Sequence, residues 1–353
     1  MKRVSDALTS SEAARYEAQK LAFAPLMFHA TLAMRDLGVL DHLYAAGAAG
    51  ATPDSVATRT GLSHYAASIL LEAGFASGLC SHENRRFSIT KMGVFWLKDR
   101  LTRVNADFNR DVCYRGASHF QEAMRSGLPS GLRELGPWPT LYEGLSKLPS
   151  DIKSSWFAFD HYYSDGVFEQ CAELILLPNV KHLVDLGGNT GLFCQVCLAA
   201  SPDVRISIAD LPGQLAMADA AFSEEQKRRV DLVPVNFLDD TAKIPEGADV
   251  YWMSQFLDCF SESEIVSILR RVRDAMPNGG RAYILETLWD KQRYEAARYC
   301  VIGTSLYFAC MANGNSRMYH SEDLKRLIKE AGLTITNNME SIGLSHTLIE
   351  CVR

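Results

Sequence analysis

The sequence has no run of about 18 consecutive uncharged apolar residues, the length that a membrane-spanning helix needs, so we expect no membrane span. The first 20 residues also lack the apolar stretch of a signal peptide, which predicts a cytoplasmic protein. An excess of basic residues is missing too, because 36 Lys and Arg stand against 42 Asp and Glu, and the net charge is −6. Neutralising phosphates requires a basic face, so we expect no nucleic-acid partner.

The cysteines lack the pairing that a disulfide framework or a zinc site needs. Nine cysteines are scattered along the chain, and an odd number in this pattern is typical of reduced thiols in the cytosol. Cys194 and Cys197 form the one CxxC motif, and no second pair exists to complete a zinc site. We expect both to be small buried side chains on a helix, and we predict no metal.

The first part of the chain predicts a helical module. Residues 11–47 have apolar positions at helical spacing, a further helix is predicted to begin at Pro53, and a turn follows near Gly61. A second helix and a strand pair come next, which is the order of a winged helix. The candidate recognition helix, "SHYAASILLEAGFASG", carries no Arg or Lys. A DNA reader needs cations there, so we interpret the module as a packing and dimerisation element.

From residue 180 onward, strand and helix patterns alternate, which predicts a parallel sheet covered by helices on both faces. The tail "LTITNNMESIGLSHTLIECVR" contains two strand-like runs around a glycine turn, so we expect an antiparallel hairpin at the sheet edge. The predicted strands are 182–186, 204–209, 230–235, 248–253 and 281–286, and the predicted helices lie near 191–200, 212–222 and 262–276.

The segment "HLVDLGGNTGLF" places glycines in the turn after the first of these strands, where an open α/β sheet binds its ligands. The spacing Asp185-x-Gly187-x-x-x-Gly191 differs from the GxGxxG of dinucleotide-binding proteins and contains an acid. A carboxylate at this position repels a pyrophosphate but suits the sulfonium and ammonium of S-adenosylmethionine (SAM). Asp210 ends the next strand, where a carboxylate can accept both ribose hydroxyls.

"LVDLGGNTGLF…SPDVRISIADLPGQLAMA" resembles the SAM-dependent O-methyltransferase family typified by plant caffeate and bacterial antibiotic O-methyltransferases. The resemblance covers nearly the whole chain. It implies a class I methyltransferase Rossmann-like seven-stranded sheet at 166–353 and a helical, winged-helix-like domain at 1–165. That first domain is expected to form a homodimer and to roof the acceptor pocket. By the same resemblance the cofactor is SAM, and we expect it to contact the residues Leu211, Asn236, Phe237 and Ser254.

The family's catalytic His lies in a segment like "LHDWSDEE", and this chain has "FLDCFSESE" there, with Asp258 at the His position. Glu286 matches one of two orienting Glu residues of the family, whereas Ser316, before Arg317, stands where the other would be. Proton transfer from a phenol to an unperturbed Asp is uphill by roughly 8 kcal/mol. Burial and Glu286 would narrow that gap. Asp258 therefore acts either as a general base or as a hydrogen-bonding group that orients the acceptor.

The segment "WFAFDHYYSDG" lies where the family builds its acceptor pocket. Its aromatic residues suit a planar phenol, and the Asp160–His161 pair could take or share the phenol proton. The alternative is an aromatic helix packed at a domain interface, with His161 bonded to backbone. We further expect Phe157, Tyr162 and Arg317 to contact the substrate.

The sequence therefore predicts a SAM-dependent methyltransferase of secondary metabolism that methylates the oxygen of a small phenolic or aromatic acceptor. One alternative is C-methylation ortho to a phenol hydroxyl, as on a tyrosine-like substrate. A second is a non-catalytic SAM- or DNA-binding regulator, which the winged-helix-like module and the missing His would favour.

Overall fold

A computed structural model describes residues 10–353. Its contacts define two compact units, one that ends at Asp107 and one that comprises Phe108–Arg353. The family resemblance predicts a boundary between residues 165 and 166 instead. The helices between Phe108 and Ser164 share a core with later residues such as Tyr307 and Phe308, which explains why contacts group them with the second unit. The functional division at 165/166 stays a prediction.

The first unit is helical and carries one small antiparallel hairpin. Its apolar core includes Met34, Leu40, Leu71 and Leu79. The hairpin pairs strand β1 (Cys80–Glu83) with β2 (Arg86–Ile89). The helices that begin in this unit are Ser11–Asp36, Val39–Ala46, Pro53–Thr60, His64–Ala76, Lys91–Lys98 and Arg100–Phe108.

Local sequence signals account for the turns of this unit. The helix that begins at Pro53 is preceded by Thr52, whose hydroxyl accepts a hydrogen bond from the Ser55 amide in a capping box. It ends at Gly61, which has a left-handed φ of 74°. The order of helix, turn, helix and hairpin is the predicted one, and the winged-helix assignment itself stays a prediction.

The second unit is built on a seven-stranded sheet. Its strands are β3 (His182–Leu186), β4 (Arg205–Asp210), β5 (Val230–Pro234), β6 (Val250–Ser254), β7 (Arg281–Glu286), β8 (Thr334–Ile342) and β9 (His346–Val352). They are arranged in the order β5-β4-β3-β6-β7-β9-β8. Neighbours among β3 to β7 run parallel, whereas β9 pairs antiparallel with both β7 and β8. The predicted strands, helices and edge hairpin are confirmed to within a residue or two.

Two hydrophobic cores cover the two faces of this sheet. Val184 and Met253 belong to one core, and Leu183 and Trp252 to the other. Strands buried on both faces read as continuous apolar runs, which is why β3 and β6 were visible in the sequence. The helices are Phe120–Ser126, Leu141–Gly144, Ser150–Ser164, Phe168–Ile175, Leu192–Ala200, Pro212–Ala221, Glu224–Lys227, Glu262–Ala275, Glu295–Tyr307 and Ser321–Glu330.

The strand order fixes where a ligand can bind. The chain passes from β3 to β4 on one side, while β6 pairs with β3 on the other, so the order reverses between them. Ligands of open α/β sheets lie outside the carboxyl ends of the strands at such a reversal. The turns that follow β3, β4 and β6 therefore share one crevice.

The structure also bears on the cysteines, on metal binding and on membrane spans. Cys194 and Cys197 are buried, unbonded thiols in helix Leu192–Ala200, as the CxxC interpretation expected. Within residues 10–353, no group of His, Cys, Asp and Glu is placed to hold a metal ion, and no helix is both long and apolar enough to cross a membrane.

Candidate cofactor and acceptor site

A cavity opens at the predicted crevice, and its wall has an unusual charge. Aromatic rings such as Trp156, Phe159 and Tyr307 form much of it. None of the described residues that line it is Lys or Arg, and the histidine among them is His161. The acidic residues of the wall are Glu143, Asp160, Asp165, Asp185, Asp210 and Asp258.

The glycine loop brings backbone close to this cavity. Gly187 has a left-handed φ of 73°, and a Cβ atom there would lie 2.3 Å from the Phe256 ring. Only glycine fits that position without a shift. Gly191 also has a positive φ, of 77°, but it does not line the cavity, and a Cβ atom there would meet the Phe222 ring at 2.6 Å. Gly191 thus has a packing role, and its contact with cofactor stays a prediction.

Asp210, at the end of β4, ties the glycine loop to the sheet. Its Oδ2 accepts a hydrogen bond from the Asn189 amide at 2.8 Å, and its Oδ1 accepts one from the Leu211 amide at 2.6 Å. Burial raises the pKa of Asp210 to about 6, although the two backbone hydrogen bonds oppose that shift. The carboxylate therefore shapes the loop as well as facing the cavity.

Asp185, at the end of β3, is more completely buried, with 2% of its surface exposed. Its Oδ2 has no hydrogen-bond partner among the described residues. Burial raises the pKa of Asp185 to about 8, and the neighbouring charge of Asp210 adds to the shift. Two adjacent carboxylates without a cation would repel a pyrophosphate and would be stabilised by a positively charged ligand. The residues present therefore fit the sulfonium and ammonium of SAM.

The remaining predicted cofactor contacts all line the same cavity: Leu211, Asn236, Phe237 and Ser254. The hydroxyl of Ser254 is buried and has no hydrogen-bond partner in the described chain, so it is available to a ligand. The Asn236 side-chain oxygen accepts a hydrogen bond from the Leu238 amide at 3.0 Å. That oxygen has a second lone pair, so it can still accept from an adenine amine.

Asp258 also faces the cavity. It lies in the short helical turn Leu257–Cys259 after β6, with 6% of its surface exposed. Its Oδ1 accepts a weak hydrogen bond from the Cys259 thiol at 3.4 Å. Burial and, to a smaller extent, the nearby charge of Asp160 raise the pKa of Asp258 to about 7, although the Cys259 hydrogen bond opposes the shift. The pKa of this carboxyl group therefore lies near neutral pH.

Glu286 supports this turn from behind. Its Oε1 accepts hydrogen bonds from the backbone amides of Phe256 at 3.1 Å and Leu257 at 2.8 Å. Burial raises the pKa of Glu286 well above its usual range, with the charge of Asp258 contributing. Glu286 does not line the cavity, so its observed contacts are those of a positioning residue that holds the turn bearing Asp258.

Helix Ser150–Ser164 supplies Asp160 and His161 to the wall. The Oδ2 of Asp160 accepts a hydrogen bond from the Asn189 side chain at 3.0 Å, and burial raises the pKa of Asp160 to about 6. The imidazole of His161 lies 3.5 Å from a carboxylate oxygen of Asp165, one helical turn further on. The sequence suggested Asp160 as the partner of His161, but the short contact in the structure is to Asp165.

The three predicted substrate contacts do not line the cavity. Phe157 packs against Trp156 and His161. Tyr162 lies edge-on to the ring of Tyr163, with 5.6 Å between centroids. Arg317 pairs with Glu262 and Asp323, at 3.0 Å in both cases. Any direct contact of these side chains with substrate remains a prediction.

The structure adds wall residues that the sequence analysis did not name. These are Tyr142 and Gln255, together with Thr304 and Tyr307 of segment 298–314, whose apolar pattern predicts a helix that closes the pocket. Gln255 has an unusual φ of 46°, and its side chain forms a 2.7 Å hydrogen bond with buried His346. The Tyr307 hydroxyl accepts a hydrogen bond from the Trp156 indole at 2.8 Å. Which side chains of these segments reach the cavity depends on tertiary packing, which leaves no local pattern in the sequence.

Two family models match this chain. The family model described as an O-methyltransferase domain matches residues 164–334, and one described as a Dimerisation2-like domain matches residues 15–87. The chain is 26% identical to the demethylspheroidene O-methyltransferase of Rhodobacter capsulatus, over 82% of this chain and 70% of that protein. It is 23% identical to the L-tyrosine C(3)-methyltransferase of Streptomyces lavendulae, over 80% and 77% of the two chains.

Solved structures show the same fold. The mitomycin 7-O-methyltransferase MmcR superposes with a TM-score of 0.73 at 19% identity, covering 97% of this chain and 98% of that one. Human N-acetylserotonin methyltransferase in complex with SAM superposes with a TM-score of 0.66 at 18% identity, over 98% and 99% of the chains. Each superposition covers nearly all of the helices and strands described above.

Replacing Asp210 tests the cofactor site. Asp210→Ala removes a carboxylate that faces the ribose position and ties down the glycine loop, so we expect SAM affinity to fall by about 10- to 100-fold in calorimetry. Asp231→Ala is the matched control, since this exposed acid on β5 pairs with Arg205 away from the cavity. Equal SAM affinity in Asp210→Ala and the wild type would contradict the assignment.

The protonation of Asp185 makes a second prediction. A bound cation favours the charged carboxylates, whose pKa values in the free protein are about 8 for Asp185 and about 6 for Asp210. SAM affinity should therefore rise from pH 6 to pH 8, and binding at pH 7 should release protons. Calorimetry in two buffers of different ionisation enthalpy measures that release. A heat of binding that is independent of the buffer, with constant affinity over this range, would show that no carboxyl group releases a proton when SAM binds.

Proposed function

We propose that this chain, which belongs to the SAM-dependent O-methyltransferase family, methylates the hydroxyl of a small phenolic acceptor. The observation that carries the proposal is the cavity itself. It joins a carboxylate-lined cofactor end, at Asp185 and Asp210, to an aromatic end that carries Asp258. Bound SAM supplies a methyl group on a sulfonium whose neutral thioether departs, so the protein chiefly has to position and deprotonate the acceptor.

Asp258 is the group that we assign to the phenol proton. With a pKa of about 7, it lies about 3 units below a phenol, so proton transfer is uphill by about 4 kcal/mol rather than roughly 8. The two amide hydrogen bonds from the turn to Glu286 fix where Asp258 points into the cavity. Its one hydrogen bond from a thiol leaves lone pairs for the substrate hydroxyl.

His161 is a second proton-handling group at the same wall. Its imidazole faces the cavity, and Asp165 at 3.5 Å can orient it. In this position it can take or share the phenol proton. The aromatic rings around it, including Phe159 and Tyr163, suit stacking of a planar acceptor.

The first unit supports a homodimer. A Dimerisation2-like domain spans residues 15–87. Helix Ser11–Asp36 leaves large apolar side chains in solvent, with Leu21 at 75%, Phe23 at 53% and Leu26 at 71% exposed. Apolar side chains grouped on one helix mark a surface that is buried in an assembly. A second copy of the chain is the partner that the matched domain favours. Location in the cytoplasm and the absence of a nucleic-acid partner remain predictions from composition.

C-methylation is the second candidate, because the replacement of the family His by Asp258 weakens the argument for O-methylation. A phenolate carries negative charge on its oxygen and on its ortho carbons, so the atom that faces the methyl group decides the product. An L-tyrosine C(3)-methyltransferase is among the relatives of this chain. Removal of the phenol proton by Asp258 serves either outcome.

Asp258→Asn tests the proton step. Asparagine keeps the size of the side chain but cannot accept the proton, so we expect kcat to fall about 100-fold or more with little change in SAM affinity. The wild-type rate should rise as pH passes through about 7, where Asp258 loses its proton, and that inflection should vanish in the variant. Asp203→Asn is the control, an exposed acid that pairs with Lys181. Full turnover by Asp258→Asn would make Asp258 structural.

Product analysis distinguishes the two candidate reactions. The protein is incubated with SAM labelled with ¹³C at the methyl group and with a panel of phenols and aromatic amino acids, and products are assigned by NMR. We expect the label on a phenolic oxygen. A label on a ring carbon would establish the second candidate. Binding of SAM without transfer to any member of the panel would contradict the proposed function.

A further inference from the structure

The cavity wall contains more acidic residues than the two that are proposed to serve the cofactor. Besides Asp185 and Asp210, four acids line it. These are Glu143, Asp160, Asp165 and Asp258. Against them the described part of the wall offers the imidazole of His161, which is already paired with Asp165. The acceptor end therefore contains more acidic than basic side chains.

Asp160 is the acid best placed to meet a ligand. One of its oxygens accepts a hydrogen bond from the Asn189 side chain at 3.0 Å. The imidazole of His161 lies within electrostatic reach of this carboxyl group, but no cation among residues 10–353 forms a salt bridge with it. The residue is partly exposed and lines the cavity. A carboxylate in this setting is stabilised by a cation that reaches the cavity.

Asp258 points independently to a ligand that is not an anion. It is 6% exposed and lies within electrostatic reach of Asp160, yet its one hydrogen bond within the described chain is from the Cys259 thiol. A buried acid with so weak a partner is completed by a donor from the substrate, such as a phenol hydroxyl. An ionised carboxylate on the substrate would be buried beside two acids, and none of the described wall residues is a Lys or Arg that could pair with it. Such burial is strongly unfavourable.

We infer, on the basis of the proposed function, that the acceptor is a phenol that carries a protonated amine and no ionised carboxylate, with Asp160 as the counter-ion of that amine. The phenol hydroxyl then lies toward Asp258, and the ring lies between the aromatic side chains of the wall. The charge of the wall selects among acceptors of the same ring size. An acceptor with a free carboxylate is rejected by repulsion rather than by shape.

Three phenols that differ chiefly in charge test the inference: tyramine, 4-ethylphenol and 3-(4-hydroxyphenyl)propanoate. Their affinities are measured by calorimetry at pH 8 for the full-length protein saturated with S-adenosylhomocysteine. We expect tyramine to bind about tenfold or more tightly than 4-ethylphenol, and the propanoate to bind more weakly by a similar factor. Equal affinities, the reverse order, or no binding of any of the three would overturn the inference.

Variants assign the preference to Asp160. Asp160→Asn should remove the preference for tyramine over the propanoate, whereas Asp160→Glu, which keeps the charge, should retain the order. Asp203→Asn lowers the negative charge of the chain by the same amount outside the cavity and should also retain it. An unchanged order of affinities in Asp160→Asn would overturn the role of Asp160. If that variant does not fold, the order of affinities in the wild-type protein still tests whether the wall prefers a cationic acceptor.

The design separates this inference from the function on which it rests. Methyl transfer to 4-ethylphenol without a preference for tyramine would overturn the inference and leave the methyltransferase assignment intact. Failure of the wild-type protein to bind S-adenosylhomocysteine or SAM would overturn both.

Discussion

The burial of carboxylates without counter-ions is the constraint on which this site depends. Asp185, Asp210, Asp160 and Asp258 all face one cavity, and burial raises the pKa of each. A protein that folds with such groups sacrifices stability at neutral pH, because each acid must either hold a proton or remain charged in a poorly solvating place. A cationic ligand stabilises the charged carboxylates and so offsets this loss of stability. The same electrostatics thus explain the choice of cofactor, the tuning of Asp258 and the expected charge of the acceptor.

The sheet makes this arrangement possible. The carboxyl ends of β3, β4 and β6 meet at the reversal of strand order, so two strand ends and the turn after β6 contribute acids to one place. Backbone hydrogen bonds then fix the acids in position, with Asp210 holding the amides of Asn189 and Leu211, and Glu286 holding the turn that carries Asp258. Preorganisation of this kind means that the groups need not move when the ligand enters.

Much of this could be predicted from the sequence, and the parts that could not share a physical reason. Strands such as β3 and the acids at their ends follow from local patterns, because apolar runs and glycine turns are local signals. The partner of His161, the support that Glu286 gives to the turn, and the approach of Tyr142 and Tyr307 depend on packing between distant segments. The expectation that Glu286 lies near Asp258 was sound because the ends of adjacent parallel strands are neighbours. Arg317, by contrast, forms ion pairs with Glu262 and Asp323 and does not line the cavity.

The selection of a positively charged nucleoside over a pyrophosphate is the central claim, and direct titration tests it. Calorimetry of the wild-type protein with SAM and with NAD, under the same conditions, compares a cationic with an anionic ligand that could occupy the same crevice. The acids at the ends of β3 and β4 predict binding of SAM and no measurable binding of NAD. Binding of NAD in that crevice, with SAM unbound, would contradict the account.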